Sequence, residues 1–492
     1  MGSGSLDQLS ADTLNQEADK QAIEFEQQWY TWGDLRRIAS LVADLIAESG
    51  AQPDSKVVLV AKNRPSAIAA YLGLMEKSIS FRLVYPFQSS VSMGHEIASV
   101  QPSVVIAAEE TFDDKLRAQL QSLGIAGIAL SAHAAQMVPG LERSKICAAS
   151  CDSAVIEIHT SGTTGSPKPH PFKYSSIYKH IVGGRATPSS IGEPKALPPV
   201  LMYFPVGNIT GLYATITPLL RGLKGVLLDR FNVQGWYDHL KRYQPSSGGL
   251  PPAGVQMVLD ADLPKEDFAC LKMIGSGAAP LDPSVQKAFE ERYGVPIILA
   301  YGATEFGGPV VSMTPELYER WGAQKTGTVG KPLPGVQLRV VDAQPHDVLP
   351  AGEIGTLEVV SPRIGEHWIR TSDLGYIDED GFLFLCGRAD CAIMRGGFKV
   401  LPEVIEKALV LHPAVAAAGV VGIPDHRLGQ VPAAAVQLKP GVESPSFAEF
   451  EQHLRDLLAA THIPVKWKIV SELPRTASYK VHQPSLRELF AN

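Results

Sequence analysis

The sequence predicts an α/β protein with a large N-terminal domain of layered, mostly parallel sheets and a small C-terminal α+β domain. Strand patterns alternate with helix patterns along the first half of the chain, which is typical of a parallel sheet covered by helices. A chain of 492 residues also exceeds what one hydrophobic core usually supports. The last stretch, about 100 residues long, mixes helices and strands and has a normal domain size.

The first clear helix begins at Thr31, where Thr31 and Asp34 form a capping-box pattern, and it ends at Gly50. Apolar residues between them keep the three-to-four spacing of a buried helix face. A buried strand is predicted at 56–60 and a helix at 66–75. Further strand patterns follow at 104–107, 125–130 and 225–228. In the C-terminal part we expect a helix at 402–409, a strand at 418–423 and a helix at 447–458.

Composition excludes several classes of protein. With 45% hydrophobic and 19% charged residues the chain is globular rather than disordered. A formal net charge of −7 argues against nucleic-acid binding, which needs a basic face. The five scattered cysteines suit a reducing compartment, and no signal segment follows Met1, so a cytoplasmic protein is expected.

One uncharged run, Ala196 to Leu220, is long enough to span a membrane. It contains four prolines, an asparagine and several threonines, which would leave a lipid-exposed helix broken and polar. We therefore expect a buried strand and helix here, and no transmembrane segment.

A loop of small and hydroxyl residues follows the strand pattern at 154–158. Gly162 and Gly165 let several backbone N–H groups approach one anion, and Lys168 adds a positive charge. The hydroxyl groups come from Thr160, Ser161, Thr163 and Thr164. Two residues between the glycines exclude a Walker A loop. The pattern therefore predicts a phosphate-binding loop. The alternative is an ordinary surface loop with a solvated lysine.

The run from Ile158 to Pro171 resembles the phosphate-binding signature of the adenylate-forming superfamily, which includes acyl-CoA synthetases, adenylation domains of nonribosomal peptide synthetases and firefly luciferase. Four further stretches resemble the family in the expected order and cover nearly the whole chain. The chain is most similar to an acyl-CoA ligase. The resemblance implies an AMP-binding and substrate domain at 1–388 and a mobile lid at 389–492 that carries a catalytic lysine.

Two stretches point to the adenine and the phosphates. Small residues after an apolar run let a flat ring lie against the backbone, although the pattern alone usually marks a tight turn. They are Gly277, Ala278 and Ala279. Tyr301 could cover the other face of the ring, and Glu305 offers a carboxylate for Mg²⁺. The resemblance places Thr304 and Glu305 beside the phosphates, whereas the alternative for Glu305 is a solvated surface acid.

Asp373 is the predicted ribose anchor, because a carboxylate can accept hydrogen bonds from the two neighbouring ribose hydroxyls. The alternative interpretation is that Asp373 is an acidic residue that caps a turn. The resemblance further implies that Arg388 reaches the nucleotide and that Asp390 is the hinge of the lid. It also implies that Gly396 and Gly397 line the path of an incoming thiol.

The catalytic lysine implied by the resemblance is Lys480. The sequence departs from the family at three positions where relatives usually have glycine. Those positions are Pro169, Ser372 and Tyr479. Without the resemblance, Lys480 would be an unremarkable surface lysine.

The assembled prediction is a ligase that uses ATP and Mg²⁺ to form an acyl-adenylate and then transfers the acyl group to the thiol of coenzyme A. The alternatives are an enzyme that loads the phosphopantetheine of a separate acyl-carrier protein, and a nucleotide-binding protein without catalysis. Asn208 and Gly302 are predicted to line the substrate pocket. No acid lies near Asn208 to bind an α-amine, so an apolar or aryl carboxylic acid is expected. We expect a monomer or homodimer.

Overall fold

The computed structural model describes residues 4–52, 55–146, 153–159, 169–183, 197–342, 347–396, 398–476 and 480–491. Within them the α-helices are α1 (Leu6–Leu14), α2 (Trp32–Glu48), α3 (Pro65–Glu76), α4 (Ser90–Val100), α5 (Asp114–Leu123), α6 (Tyr174–Ile177), α7 (Ile209–Gly211), α8 (Thr217–Leu220), α9 (Val233–Tyr243), α10 (Pro252–Asp260), α11 (Pro283–Tyr293), α12 (Pro315–Trp321), α13 (Pro402–Val410), α14 (Phe447–Leu457) and α15 (Gln483–Glu488).

The strands of the first half are β1 (Gln21–Phe25), β2 (Gln28–Thr31), β3 (Val57–Val60), β4 (Phe81–Val84), β5 (Val104–Ala108), β6 (Ala126–Leu130), β7 (Ala135–Met137), β8 (Val155–His159), β9 (Pro169–Lys173), β10 (Val200–Met202), β11 (Gly225–Leu227) and β12 (Ser247–Gly249). Those that follow are β13 (Met273–Gly277), β14 (Ile297–Ala303), β15 (Gly308–Ser312), β16 (Lys331–Pro332), β17 (Gln337–Val341), β18 (Gly355–Val360), β19 (Ile369–Ile377), β20 (Leu383–Arg388), β21 (Ile393–Arg395), β22 (Phe398–Val400), β23 (Val415–Asp425), β24 (Gly429–Leu438) and β25 (Lys466–Val470).

These strands form five sheets. Parallel pairs make up the centre of the sheet β7-β6-β5-β3-β4-β8-β9. They also form β10-β11-β1 in the sheet that ends with β2, and β12-β13-β14 in the sheet that continues to β16. The α/β class is therefore confirmed. One sheet differs from the expectation, because β17 to β20 pair entirely antiparallel.

The predicted first helix forms as α2. Thr31 Oγ1 accepts from Asp34 N at 3.2 Å, and Asp34 Oδ2 accepts from Thr31 N at 3.0 Å, so the capping box is present. This arrangement satisfies two backbone donors at the helix start. The uncharged run at 196–220 holds β10, α7 and α8, as expected. Among the described residues no helix is long and apolar enough to cross a membrane.

The C-terminal part has its own hydrophobic cores. In the fifth sheet β22-β21-β24-β23, with β25 beside β24, α13 and α14 pack Ile405, Leu409, Phe450 and Leu454 against the strands. All buried residues of its two clusters lie between Ile393 and Phe490. The predicted boundary after residue 388 stays a prediction, and these clusters agree with a separate folding unit.

Candidate active site

Two different sheets meet at the predicted ribose anchor. Tyr301 lies near the end of β14, and Asp373 lies in the middle of β19 in the antiparallel sheet. The Tyr301 hydroxyl donates to Asp373 Oδ2 at 2.6 Å. Thr371 Oγ1 accepts from the Asp373 backbone N–H at 2.9 Å, which fixes the strand at this residue. The tyrosine and the aspartate that were predicted separately therefore form one unit.

Arg388 joins this unit because of strand register. It lies opposite Asp373 in the β19–β20 pair, and its Nη1 is 3.4 Å from Asp373 Oδ1. Its Nε and Nη2 donate to the two carboxylate oxygens of Asp390 at 2.9 and 2.6 Å. A bidentate pair of this kind is among the stronger side-chain interactions. One guanidinium thus links the predicted ribose anchor to the predicted hinge.

Lys480 reaches the same place from the C-terminal part. Its loop is closed by hydrogen bonds between Lys480 N–H and Thr476 Oγ1, at 3.2 Å, and between Thr476 N–H and the Lys480 carbonyl, at 2.7 Å. Burial lowers the pKa of Lys480, Asp373 and Glu305 raise it, and Arg388 lowers it. Lys480 is therefore within electrostatic reach of Asp373 and Arg388 of the antiparallel sheet and of Glu305 after β14.

Burial also raises the pKa of Asp373, while the Tyr301 hydroxyl, Arg388 and Lys480 act in the opposite direction. In the part of the chain that the structure describes, the Lys480 ammonium makes no hydrogen bond or ion pair. A half-buried ammonium with unused donors suits an anionic ligand, because desolvated charge needs a partner. The donor and acceptor set therefore fits a nucleotide with its ribose at Asp373 and its phosphates near Lys480.

The metal prediction depends on Glu305. No group of three His, Cys, Asp or Glu side chains among the described residues could hold a metal ion alone. Glu305 is half-buried in the short 3₁₀ turn Thr304–Phe306, where Thr304 is buried. Mg²⁺ is usually held by one or two carboxylates together with substrate phosphates. A single glutamate here therefore fits a magnesium ion that arrives with the nucleotide.

The predicted adenine segment follows β13. A Cβ built on Gly277 would lie 2.9 Å from the carbonyl oxygen of Ala300 on β14, so only glycine allows this strand approach. Ala278 has a φ of +69°, a left-handed conformation that is uncommon for a residue with a side chain. Such outliers cluster at ligand-binding sites. Ala279 continues the same half-buried turn.

The two predicted pocket residues have structural contacts of their own. A Cβ on Gly302 would lie 2.4 Å from the Gly308 carbonyl oxygen, so its glycine permits the β14–β15 pairing. Asn208 caps α7, because its side-chain oxygen accepts from Gly211 N–H at 2.8 Å. Their role as pocket residues stays a prediction.

The segment that was expected to bind phosphate lies outside the described residues. It includes Thr160, Ser161, Gly162, Thr163, Thr164, Gly165 and Lys168, and Gly397 and Tyr479 lie outside as well. The flanking strands β8 and β9 pair antiparallel, with His159 opposite Pro169. His159 Nδ1 lies 2.7 Å from Glu96 Oε1 of α4. Sequence reasoning missed this pair, since nothing local in either segment points to the other.

The predicted hinge region is compact. Asp390 lies in a 3₁₀ turn, Ala389–Cys391, and Gly396 has a φ of +57° between β21 and β22. A cavity of about 260 Å³ opens beside Gly396 and is lined by Arg395, Phe398, Leu428, Ala460 and Thr461. Gly387 lies against the lid helix α13, where a built Cβ would be 2.7 Å from Glu403 Oε2.

The fold and the convergence of Lys480 with Asp373 and Glu305 define the class of adenylate-forming enzymes. Comparison with known proteins agrees. The chain matches the AMP-binding enzyme family over residues 10–366 and the AMP-binding enzyme C-terminal domain over residues 404–480. The chain therefore belongs to the AMP-binding enzyme family.

Relatives cover nearly the whole chain. The 2-succinylbenzoate–CoA ligase of Geobacillus kaustophilus is 28% identical over 476 residues, which is 93% of each chain. The oxalate–CoA ligase of Saccharomyces cerevisiae is 30% identical over 376 residues, 72% of this chain and 65% of that protein. ATP-bound MatB from Rhodopseudomonas palustris has a TM-score of 0.81 at 23% identity, covering 99% of both chains. The comparisons confirm the predicted family, fold class and enzyme class, an AMP-forming acid–thiol ligase that works with ATP, Mg²⁺ and coenzyme A.

Proposed function

We propose that this protein activates an apolar or aryl carboxylic acid with ATP, releases pyrophosphate, and transfers the acyl group to coenzyme A. The observation that carries the proposal is the meeting of Lys480 with Asp373 and Glu305. Relatives named as ligases of 2-succinylbenzoate and of anthranilate, both aryl acids, support the substrate class.

The first half-reaction joins two anions, a carboxylate and a polyphosphate. Lys480 supplies an ammonium that has no hydrogen-bond or ion-pair partner among the described residues, and a preorganised charge in a site shielded from water contributes strongly to such steps. Mg²⁺ at Glu305 would neutralise further phosphate charge. Asp373 accepts hydrogen bonds from the ribose hydroxyls. The Tyr301 hydroxyl holds Asp373 Oδ2 in place, and Arg388 holds Asp373 Oδ1.

The second half-reaction needs space for a thiol on the side that Lys480 occupies. We therefore propose that the lid, residues 389–492, turns about Asp390 after adenylation and carries Lys480 away. Gly396 and Gly397 are proposed to line the thiol path. The separate cores of the C-terminal part support this, since a unit with its own core can move as one body.

The thiol that receives the acyl group is proposed to be that of coenzyme A. The names of the relatives favour coenzyme A over the phosphopantetheine of an acyl-carrier protein. We also propose a cytoplasmic enzyme that acts as a monomer or homodimer, with the scattered cysteines as support for the compartment.

Pyrophosphate exchange across a panel of carboxylic acids tests the first step. Benzoates and short aliphatic acids should support exchange, and amino acids should not. Mass spectrometry with coenzyme A or a phosphopantetheinylated carrier then identifies the acceptor. Nucleotide binding without exchange for any acid would favour the non-catalytic alternative, and acylated carrier without acyl-CoA would favour the carrier-loading alternative.

A further inference from the structure

The turn that carries Glu305 is closed by its own backbone. Gly307 N–H donates to the Thr304 carbonyl at 3.0 Å, and Gly307 has a φ of +72°, which favours glycine. Gly308 then pairs with Ala303 at the end of β14. The position of the Glu305 backbone therefore depends on the chain reversal from β14 to β15.

Side chains from elsewhere in the chain hold the carbonyl oxygens of this reversal. They are Ser361 Oγ, which donates to the Phe306 carbonyl at 2.7 Å, the Tyr213 hydroxyl, which donates to the Gly307 carbonyl at 2.6 Å, and Arg363 Nη1, which donates to the Pro309 carbonyl at 2.6 Å. We call these three side chains the brace. Most backbone carbonyls in proteins bond to backbone N–H groups, so the brace fixes residues 306–309 from outside their own strand pair.

Tyr213 contacts the reversal in two ways. It lies in a π-helical turn, Leu212–Ile216, and such turns occur frequently at functional sites. A Cβ on Gly308 would overlap the Tyr213 ring, and Gly308 has a φ of +107°, so only glycine leaves room for the ring. Tyr213 therefore holds Gly308 by packing and Gly307 by a hydrogen bond.

Ser361 and Arg363 connect the reversal to the antiparallel sheet. They lie between β18 and β19, and β19 carries Asp373. Ser361 is fully buried, and Ser176 Oγ of α6 donates to the Arg363 carbonyl at 2.7 Å. Both residues are therefore anchored themselves. They link the turn of the predicted metal ligand to the strand of the predicted ribose anchor.

The Glu305 carboxylate has no comparable support of its own. It is half-buried, and among the residues that the structure describes it makes no hydrogen bond or ion pair. Its location therefore depends on the backbone that the brace holds. Mg²⁺ requires near-ideal octahedral geometry with oxygen ligands at about 2.0–2.1 Å, so a small displacement of the carboxylate would weaken metal binding.

We propose that Tyr213 is a positioning residue that fixes Glu305 for Mg²⁺, and that Ser361 has the same role. The inference rests on the proposed function, in which Mg²⁺ arrives with ATP at Glu305. Tyr213 acts through the Gly307 carbonyl and its packing on Gly308, and not by contact with the metal. Arg363 belongs to the brace as well, but removing its charge would change nucleotide affinity by itself, so it is left intact in the test.

Isothermal titration calorimetry with ATP tests the proposal in Mg²⁺, in Ca²⁺ and in EDTA. Tyr213→Phe keeps the ring on Gly308 and removes the hydrogen bond to Gly307. Its Kd for ATP in Mg²⁺ should rise about tenfold, the lower end of the losses found when partners of metal ligands are changed. The rise in Ca²⁺ should be below about threefold, because Ca²⁺ accepts longer and less regular coordination. In EDTA it should be below about twofold, since no metal then needs Glu305.

A double variant shows whether Tyr213 acts through Glu305. Glu305→Gln alone should weaken ATP binding in Mg²⁺. Adding Tyr213→Phe to Glu305→Gln should change the Kd by less than about twofold, because the two residues then no longer act on one metal site. Ser361→Ala removes the hydrogen bond to the Phe306 carbonyl and should shift the Mg²⁺ dependence in the same direction. It gives a second reading if Tyr213→Phe does not fold.

Tyr174→Phe is the matched control, since the Tyr174 hydroxyl also donates to a backbone carbonyl, that of Ile79, at 2.7 Å. Its Kd for ATP should equal that of the wild type in all three conditions, and thermal unfolding compares the stability of the variants. An unchanged Kd of Tyr213→Phe in Mg²⁺, equal weakening in Mg²⁺, Ca²⁺ and EDTA, or additive losses in the double variant would overturn this inference alone. Absence of pyrophosphate exchange with every acid would overturn the proposed function and this inference with it.

Discussion

The two sides of the active site are built in different ways. On the nucleotide side, Tyr301, Asp373 and Arg388 lie on strands, and their side chains are already bonded to one another. On the side of the C-terminal part, Lys480 lies outside the named strands, its backbone is hydrogen-bonded to Thr476, and its ammonium has no partner among the described residues. The predicted nucleotide-binding groups are thus fixed by strands and by their mutual hydrogen bonds, whereas the predicted catalytic lysine is carried by a unit with a separate core.

The largest expected effect is on the lid side. Lys480→Ala should reduce pyrophosphate exchange by roughly 10²- to 10³-fold or more, because it removes a preorganised charge from a developing anionic centre. Thioester formation from a supplied acyl-adenylate should be largely spared. Pyrophosphate exchange measures the first step and single-turnover thiolysis of the acyl-adenylate measures the second. Lys466→Ala is the control, because Lys466 is an exposed lysine of the same unit. Similar losses in both steps would make Lys480 a structural residue.

The predicted hinge at Asp390 lies between the two sides. Asp390→Pro fixes φ near −65° and restricts Ala389, so we expect one lid orientation to be trapped. Pyrophosphate exchange should persist at least in part, and thioester formation should be mostly lost. Asp390→Ala removes the same pair with Arg388 without restricting the backbone and is the control. Thioester formation at the normal rate in Asp390→Pro would rule out a rotating lid.

On the nucleotide side the expected effect is smaller. Tyr301→Phe keeps the ring and removes the hydroxyl that donates to Asp373. The KM for ATP should rise about tenfold, since a hydrogen bond to a charged group contributes about 1.5 kcal/mol or more. Tyr376→Phe is the control, because Tyr376 lies on the same strand as Asp373 and stacks on Phe384. An unchanged KM would mean that Asp373 needs no preorganisation, and the contrast between the two sides would weaken.

The smallest effect concerns the stability of the lid. Burial raises the pKa of Glu406 on α13 to about 8, with Glu403 raising it further and Val420 N–H, Arg475 and Lys407 opposing. In the folded protein Glu406 therefore stays protonated at pH values at which the same side chain in the unfolded chain, with a pKa of about 4.5, has lost its proton. The free energy of unfolding should fall as pH rises between these values and level off above about 8.

Glu406→Gln should remove this pH dependence because the amide does not titrate. The amide oxygen can still accept from Val420 N–H, which lies 2.7 Å from Glu406 Oε1. Thermal unfolding from about pH 5 to about pH 9 measures it, with the exposed Asp456→Asn as the control. A variant that loses stability with pH as steeply as the wild type would show that Glu406 is not the titrating group.

Local patterns predicted much of this architecture. The capping box at Thr31 and the apolar spacing after it specify α2 because both act within a few residues. The antiparallel β17–β20 sheet was not predicted, since short apolar strands carry no mark of their pairing direction. Asp373 and Tyr301 were predicted one at a time, and their hydrogen bond depends on two sheets meeting. The pair of His159 and Glu96 was missed because the two residues are far apart in sequence and match no motif.

Gly387 of β20 and Glu403 of α13 are in close contact. Gly387 has a φ of +132°, and a Cβ there would lie 2.7 Å from Glu403 Oε2, so the Glu403 carboxylate packs directly against the backbone at this position. If the lid turns about Asp390 as proposed, α13 would have to separate from Gly387, so the burial of this end of β20 would differ between the two half-reactions.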